Sequence, residues 1–473
     1  MKSVILNIKD KKNALENTLQ EISSHQDKYN SSVTILEDAH LKEETTSLLS
    51  NICYALKDNY STKGILTTAS SNTLRDYIPP FSSTVYEKLE NAHAICVGKT
   101  VLDEFGMGGT GTTGHTGVVK NPFDETRIAG GSSAGSCAAV ASGLVPFAIG
   151  SDTGDSVRKP AAYSGIVGYK PTYGMISRWG LLPFASSLDH VGIFSRSVLD
   201  AAIVADVLKG KDDKDMTTWD SSKLHLQEAV EDSKDKKYKL FYIKEIVEEE
   251  FYKNLTEDHK SIIKNFKELM KLCKDHGFEV EEISIDRDLL AKISSVYTCI
   301  SCAEATSNMS NLTGISFGPR EEGSSIEKLM MNFRTKNFSP LIKRRFVIGS
   351  YVLQRENQEK YFVNAQRIRN LLVQELKKYF QEYDGLILPC SSHIATKIED
   401  AKDMMKKQDE LSIIENHMAL GNFGGFPSIT IPCGMVSKMP IGINITGNVY
   451  EDEKLLALAS RVEEFIEEKG ESL

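Results

Sequence analysis

The chain has 473 residues, 41% hydrophobic and 26% charged, the balance of a folded protein with a large buried core rather than a disordered or fibrous one. Its 56 Lys and Arg against 65 Asp and Glu leave a net charge of −9, so it offers no broad phosphate-binding face, and any nucleic acid would be held mainly by a partner. The first ten residues carry too short an apolar run for a secretory leader, and the longest apolar stretch, 138–150, is broken by Ser142, Gly143 and Pro146 and cannot span a bilayer.

In chain order, residues 10–50 read as a polar helical segment with Leu15, Leu19 and Ile22 at helical spacing, placed to wrap the core or to meet a partner. From 51 to 200, short apolar runs (52–56 and 94–97) alternate with helix-like stretches such as 83–92, the pattern of an α/β layered fold. Residues 209–237 shift to Lys, Asp, Glu and Ser and read as an exposed charged excursion before a strand at 238–243. A long helix is expected over 257–276, with Ile262, Phe266, Leu269 and Cys273 on one stripe and Gly277 as its stop. The runs 385–389 and 428–432 read as buried strands ending at prolines, and 452–468 as an amphipathic helix with Leu455, Leu458, Val462, Phe465 and Ile466 inward. Eight cysteines lie scattered without framework spacing, which points to reduced thiols in the cytoplasm; Cys299 and Cys302 form a lone CxxC, read as packing residues, so no metal site is expected.

The most informative stretch is Gly130 to Lys170, which sets two serines in separate glycine-rich turns around a small-residue helix. Glycine allows close backbone approach, and a serine beside free backbone N–H groups is the arrangement that holds developing negative charge. Upstream, Lys57 ends an apolar run; read alone it is as well a surface lysine as a buried base with a depressed pKa. The order Lys57, Ser132, Ser156 resembles the catalytic triad of the amidase signature family: a lysine, a serine in a cis peptide and a nucleophilic serine. The segments Lys57–Asn59, Asp103–Phe105, Asn121–Asp124, Gly150–Gly154 and Val167–Pro171 are similar to family segments in family order.

The resemblance implies the family fold, a single large domain in which a central mixed β-sheet is covered by helices on both faces. It also implies a cis Gly131–Ser132 bond, a relay from Lys57 through Ser132 to the nucleophile Ser156, and an oxyanion hole from the amides of Thr153, Gly154, Asp155 and Ser156. Ser133 is a supporting neighbour, and Asp152 and Arg158 are expected to form a structural ion pair. Asp155 departs from the family, which has glycine there; aspartate tolerates φ > 0, but its carboxylate has to point away from the oxyanion.

Within the family, Pro171–Gly174, Phe184–Asp189 and Ala303–Asn308 resemble the A subunits of tRNA-dependent amidotransferases. Such a subunit hydrolyses glutamine and passes ammonia to a B-type partner that binds tRNA, ATP and Mg²⁺, alongside a small C-type subunit; no cofactor is implied on this chain. Glutamine carries a carboxylate and an ammonium, so its pocket needs a fixed cation and a fixed anion. The resemblance places the cation at Arg345, with Arg344 as the alternative, and the anion at Glu415, where the subfamily has aspartate. Tyr297 is read as a pocket wall or a core tyrosine. A stand-alone amidase and an inactive scaffold subunit stay open as other readings, whereas a nucleotide-binding loop is excluded because no GxxxxGK[ST] or GxGxxG follows a strand.

Overall fold

The computed structural model describes residues 3–252, 255–401 and 412–470. Thirteen strands are described: β1 Ser32–Ile35, β2 Cys53–Lys57, β3 Ile95–Thr100, β4 Lys120–Asn121, β5 Asp124–Ile128, β6 Phe147–Asp152, β7 Val167–Lys170, β8 His190–Ser195, β9 Lys239–Ile243, β10 Glu279–Ile283, β11 Gly385–Pro389, β12 Ser428–Val436 and β13 Met439–Thr446. Eleven form one mixed sheet in the order β1-β3-β2-β6-β8-β7-β12-β13-β11-β9-β10, while β4 and β5 pair as a separate hairpin. The chain is a single α/β domain whose large mixed sheet is flanked by helices.

The central strands are fully buried along their length and rich in Val, Ile, Phe and Tyr, as strands covered on both faces must be. β2 runs parallel to both β3 and β6, so Lys57 at the end of β2 and Asp152 at the end of β6 leave the sheet on the same side. Crevices outside the carboxyl ends of such strands are where α/β sheets place their ligands. The helix over 257–275 buries Ile262, Phe266, Leu269 and Cys273, and Gly277 follows it at φ +83°. The helix Asp452–Glu468 buries Leu455, Leu458, Val462, Phe465 and Ile466.

Two expected elements differ. The N-terminal helix covers only Lys11–Tyr29, and Asn30 at φ 54° ends it. The β-branched run Val33-Thr34-Ile35 then forms β1, which adds an antiparallel edge to β3. The strand from Ser428 does not stop at Pro432 but continues to Val436, because β7 pairs only with Ser428–Thr430, so beyond Thr430 that side of β12 demands no N–H from a proline. Register shifts between Pro432 and Met435, a bulge that absorbs the proline. Within 209–237, which is largely exposed, a short helix at Leu226–Glu231 tucks Leu226 and Val230 into the core.

Candidate active site

Lys57 is fully buried, because β3 and β6 flank the end of β2 and the Gly130–Ser133 turn covers it. Its Nζ lies 2.9 Å from the hydroxyls of Ser132, Ser133 and Ser151. Burial brings the amine down to about 7, while the more distant carboxylates of Asp103, Asp152 and Asp189 only partly oppose it. A neutral amine has two N–H donors and one lone pair. The Ser133 hydroxyl donates to the Ser151 carbonyl at 3.0 Å, so it can only accept from Lys57. Ser151 Oγ likewise accepts from Asn59 Nδ2 at 3.1 Å. With the two N–H groups drawn to Ser133 and Ser151, the lone pair of Lys57 is left for the O–H of Ser132.

The Gly131–Ser132 peptide is cis. Asp103 packs against it so tightly that a Cβ at Gly131 would fall 2.1 Å from the Asp103 carboxylate. That carboxylate accepts from the amides of Thr110, Gly111, Thr112 and Thr113 at 2.9–3.1 Å, and the Asp103 amide donates to the Ser132 carbonyl at 3.1 Å. Asp103 thereby ties a whole loop to the turn that presents Ser132. It stands in a segment already notable in the sequence, but nothing there assigns it this part.

Ser156 is 4% exposed, in the turn after β6, and its carbonyl accepts from the Ser133 amide at 3.3 Å, which joins the two serine turns. Among the described residues, none accepts a hydrogen bond from the amides of Thr153, Gly154, Asp155 or Ser156, so this turn holds a row of uncommitted donors. Thr153 is fixed by its hydroxyl, which donates to Asp189 at 2.7 Å; burial pushes the Asp189 carboxyl up to about 6. Asp152 and Arg158 form a fully buried pair at 2.9 Å. Arg158 also donates to the carbonyls of Gly154 and Met418 and to Asn422 Oδ1, at 2.7–2.8 Å, so the nucleophile turn is pinned to the C-terminal third of the chain. Burial alone would raise the Asp152 carboxyl, but the charge and hydrogen bonds of Arg158 hold it well below the ordinary carboxylate range.

Asp155 does not adopt positive φ, so the turn makes no use of the freedom glycine would bring. Its carboxylate turns to Lys159, 3.1 Å away on the following helical turn. Lys159 Nζ also reaches the carbonyl of Glu415 at 2.6 Å and its carboxylate at 3.3 Å. Glu415 is heavily engaged: its oxygens accept from the Ser391 hydroxyl, the Ser392 amide and the Ser392 hydroxyl at 2.6–3.0 Å, and His393 Nε2 lies 3.4 Å away. Tyr297 packs on the nucleophile turn, 2.9 Å from where a Cβ of Gly154 would be. Its ring meets Phe184 edge-on, and the guanidinium of Arg345 lies over the same Phe184 at 5.4 Å. Arg345 is partly buried, its Nε without a hydrogen-bond partner among the described residues, whereas Arg344 is exposed. The cation nearest Tyr297 is therefore Arg345 rather than Arg344.

A buried amine beside one serine, a second serine in a turn of free amides and a flanking arginine form an arrangement suited to acyl transfer from a carboxamide. The amidase family model matches residues 13–456. This chain belongs to the amidase family. The amidase is 42% identical to the A subunit of glutamyl-tRNA(Gln) amidotransferase of Mycoplasma pneumoniae, over 90% of this chain and 88% of that one. It is 41% identical to the protein of the same name from Mycoplasma genitalium, over 88% and 87% of the two chains. The crystal structure of the A subunit of glutamyl-tRNA(Gln) amidotransferase from Thermotoga maritima superposes on the amidase with a TM-score of 0.74 at 32% identity, covering 95% of this chain and 89% of that one. Among the amidase's described residues no helix is long and apolar enough to cross a membrane.

Proposed function

We propose that this amidase is the glutamine-hydrolysing subunit of a tRNA-dependent amidotransferase. Neutral Lys57 takes the proton of Ser132, and Ser132 takes that of Ser156 as Ser156 Oγ attacks the carboxamide carbon. The carbonyl electron pair moves to oxygen, where the amides of Thr153, Gly154, Asp155 and Ser156 meet it. Collapse breaks the C–N bond, the relay returns the proton to nitrogen, and ammonia leaves an ester on Ser156. Water, deprotonated by the same relay, cleaves the ester and frees glutamate. Arg345 receives the substrate α-carboxylate and Tyr297 walls the pocket.

The observation that carries this reading is the dry amine of Lys57 at 2.9 Å from Ser132, whose hydroxyl has no other acceptor among the described residues. The names of the relatives supply the acceptor: ammonia goes to a B-type subunit that holds tRNA, ATP and Mg²⁺, with a small C-type subunit completing the assembly. The test is ammonia release from glutamine by the purified chain, alone and with those partners and charged tRNA. Activity that rises with the partners and disappears in Ser156→Ala supports the proposal. A solitary chain that cleaves apolar amides and ignores glutamine overturns it in favour of a stand-alone amidase; a wild type as silent as Ser156→Ala identifies a scaffold subunit.

A further inference from the structure

The assignment of the substrate ammonium to Glu415 meets a difficulty of geometry. Both oxygens of Glu415 are already engaged by Ser391, Ser392, Lys159 and His393, and the side chain is 18% exposed. Asp155 differs on each count. Its side chain is 27% exposed, it stands directly before Ser156, and only one of its oxygens has a partner among the described residues, Lys159 at 3.1 Å. Lys159 is shared between the two carboxylates, so one cation faces two anions and the cluster keeps an uncompensated negative charge. Burial pushes the Tyr297 hydroxyl up; the charge of Arg345 draws it down and that of Asp155 pushes it further up, so both charges lie within reach of the same ring. A cation and an anion thus stand about one aromatic residue beside the nucleophile, the charge arrangement that a zwitterionic amino acid needs.

We propose that Asp155, steered by Lys159, is the specificity-determining carboxylate that receives the α-ammonium of glutamine. This deepens the glutaminase reading and rests on it. Lys159 is a positioning residue: by pairing with one carboxylate oxygen of Asp155 it turns the charge away from the oxyanion site and leaves the other oxygen for the substrate. Glu415 holds Lys159 in place and touches no substrate.

The test compares glutamine with glutaramate, the same carboxamide lacking the α-amino group. In Asp155→Asn the preference for glutamine over glutaramate in kcat/KM falls at least tenfold, chiefly through KM for glutamine, while glutaramate hydrolysis changes less than threefold and reports that the triad works. Lys159→Arg, which keeps both ion pairs, retains most of the preference. An unchanged preference in Asp155→Asn overturns the proposal, as does equal loss of both substrates, or a preference lost in Glu415→Gln but kept in Asp155→Asn. A wild type that cleaves no glutamine overturns the glutaminase reading as well, whereas an active wild type with an indifferent Asp155→Asn overturns this assignment alone.

Discussion

At Lys57 the cost of holding an ammonium away from water outweighs the attraction of carboxylates that stand beyond direct contact, and a base active near neutrality results. The catalytic form is the uncharged amine, so its fraction grows as pH rises. Below the folded value of about 7, kcat/KM for glutamine is expected to fall tenfold for each unit of pH, and above it to level off, as a pH–rate profile would record. Lys57→Met removes the acceptor and is expected to lower kcat by roughly 10³-fold or more, with KM little changed. Ser133 acts one step further out: its hydroxyl accepts from Lys57 and donates to the Ser151 carbonyl, and so directs the amine lone pair to Ser132. Ser133→Ala frees the amine to rotate and is expected to cost about tenfold in kcat.

Between elements, the site depends on contacts too close to admit even a methyl group. The helix Ala134–Ala141 that follows the Ser132 turn approaches β1 and β3 through Gly135, where a Cβ would fall 2.2 Å from the Ser31 carbonyl and 2.6 Å from the Val101 amide. Backbone on the other side cannot give way as a flexible side chain would. Gly135→Ala is therefore expected to destabilise the fold by about 2 kcal/mol or more in denaturant unfolding, despite the gain in helix propensity. Asp103 is the other joint, with four backbone amides on one carboxylate. Asp103→Ala orphans those donors and is expected to cost roughly 3 kcal/mol, with loss of activity because Ser132 rides on the same turn.

Across the whole molecule, Arg158 joins parts of the chain more than 250 residues apart, linking β6 and the nucleophile turn to Met418 and Asn422. Its charge sits in a place without solvent, and Asp152 is what makes that tolerable. Arg158→Met leaves Asp152 ionised and unpaired and is expected to lower unfolding free energy by about 3–5 kcal/mol, seen as a shift of the denaturant midpoint. The sign with pH follows from the direction of the Asp152 shift. A carboxyl held below its unfolded value contributes stability that is present above that value, near 3.9, and is lost as pH falls towards the folded one. Wild type is thus expected to lose more stability on acidification below about pH 4 than Arg158→Met, in which the pair no longer exists.

What the chain determined by itself was the chemistry. Lys57, Ser132 and Ser156 stand in order among glycines and apolar runs, and the long helices and β11 follow from periodicity because each buries one stripe or both faces. The strand β1 and the passage of β12 beyond Pro432 were not legible, since an edge strand needs a neighbour and a proline is harmless only where no partner waits for its N–H. The same holds inside the site. Asp103 and Asp189 lie in conspicuous segments, yet only the fold brings loop amides to one and Thr153 to the other. Asp155 and Lys159 are four residues apart and could be paired on paper, but that Glu415 shares the same ammonium across 256 residues was a matter for tertiary structure. Local spacing dictates which groups a turn of chain can offer; which of them lose water, and which charges meet there, depends on packing between segments far apart in sequence.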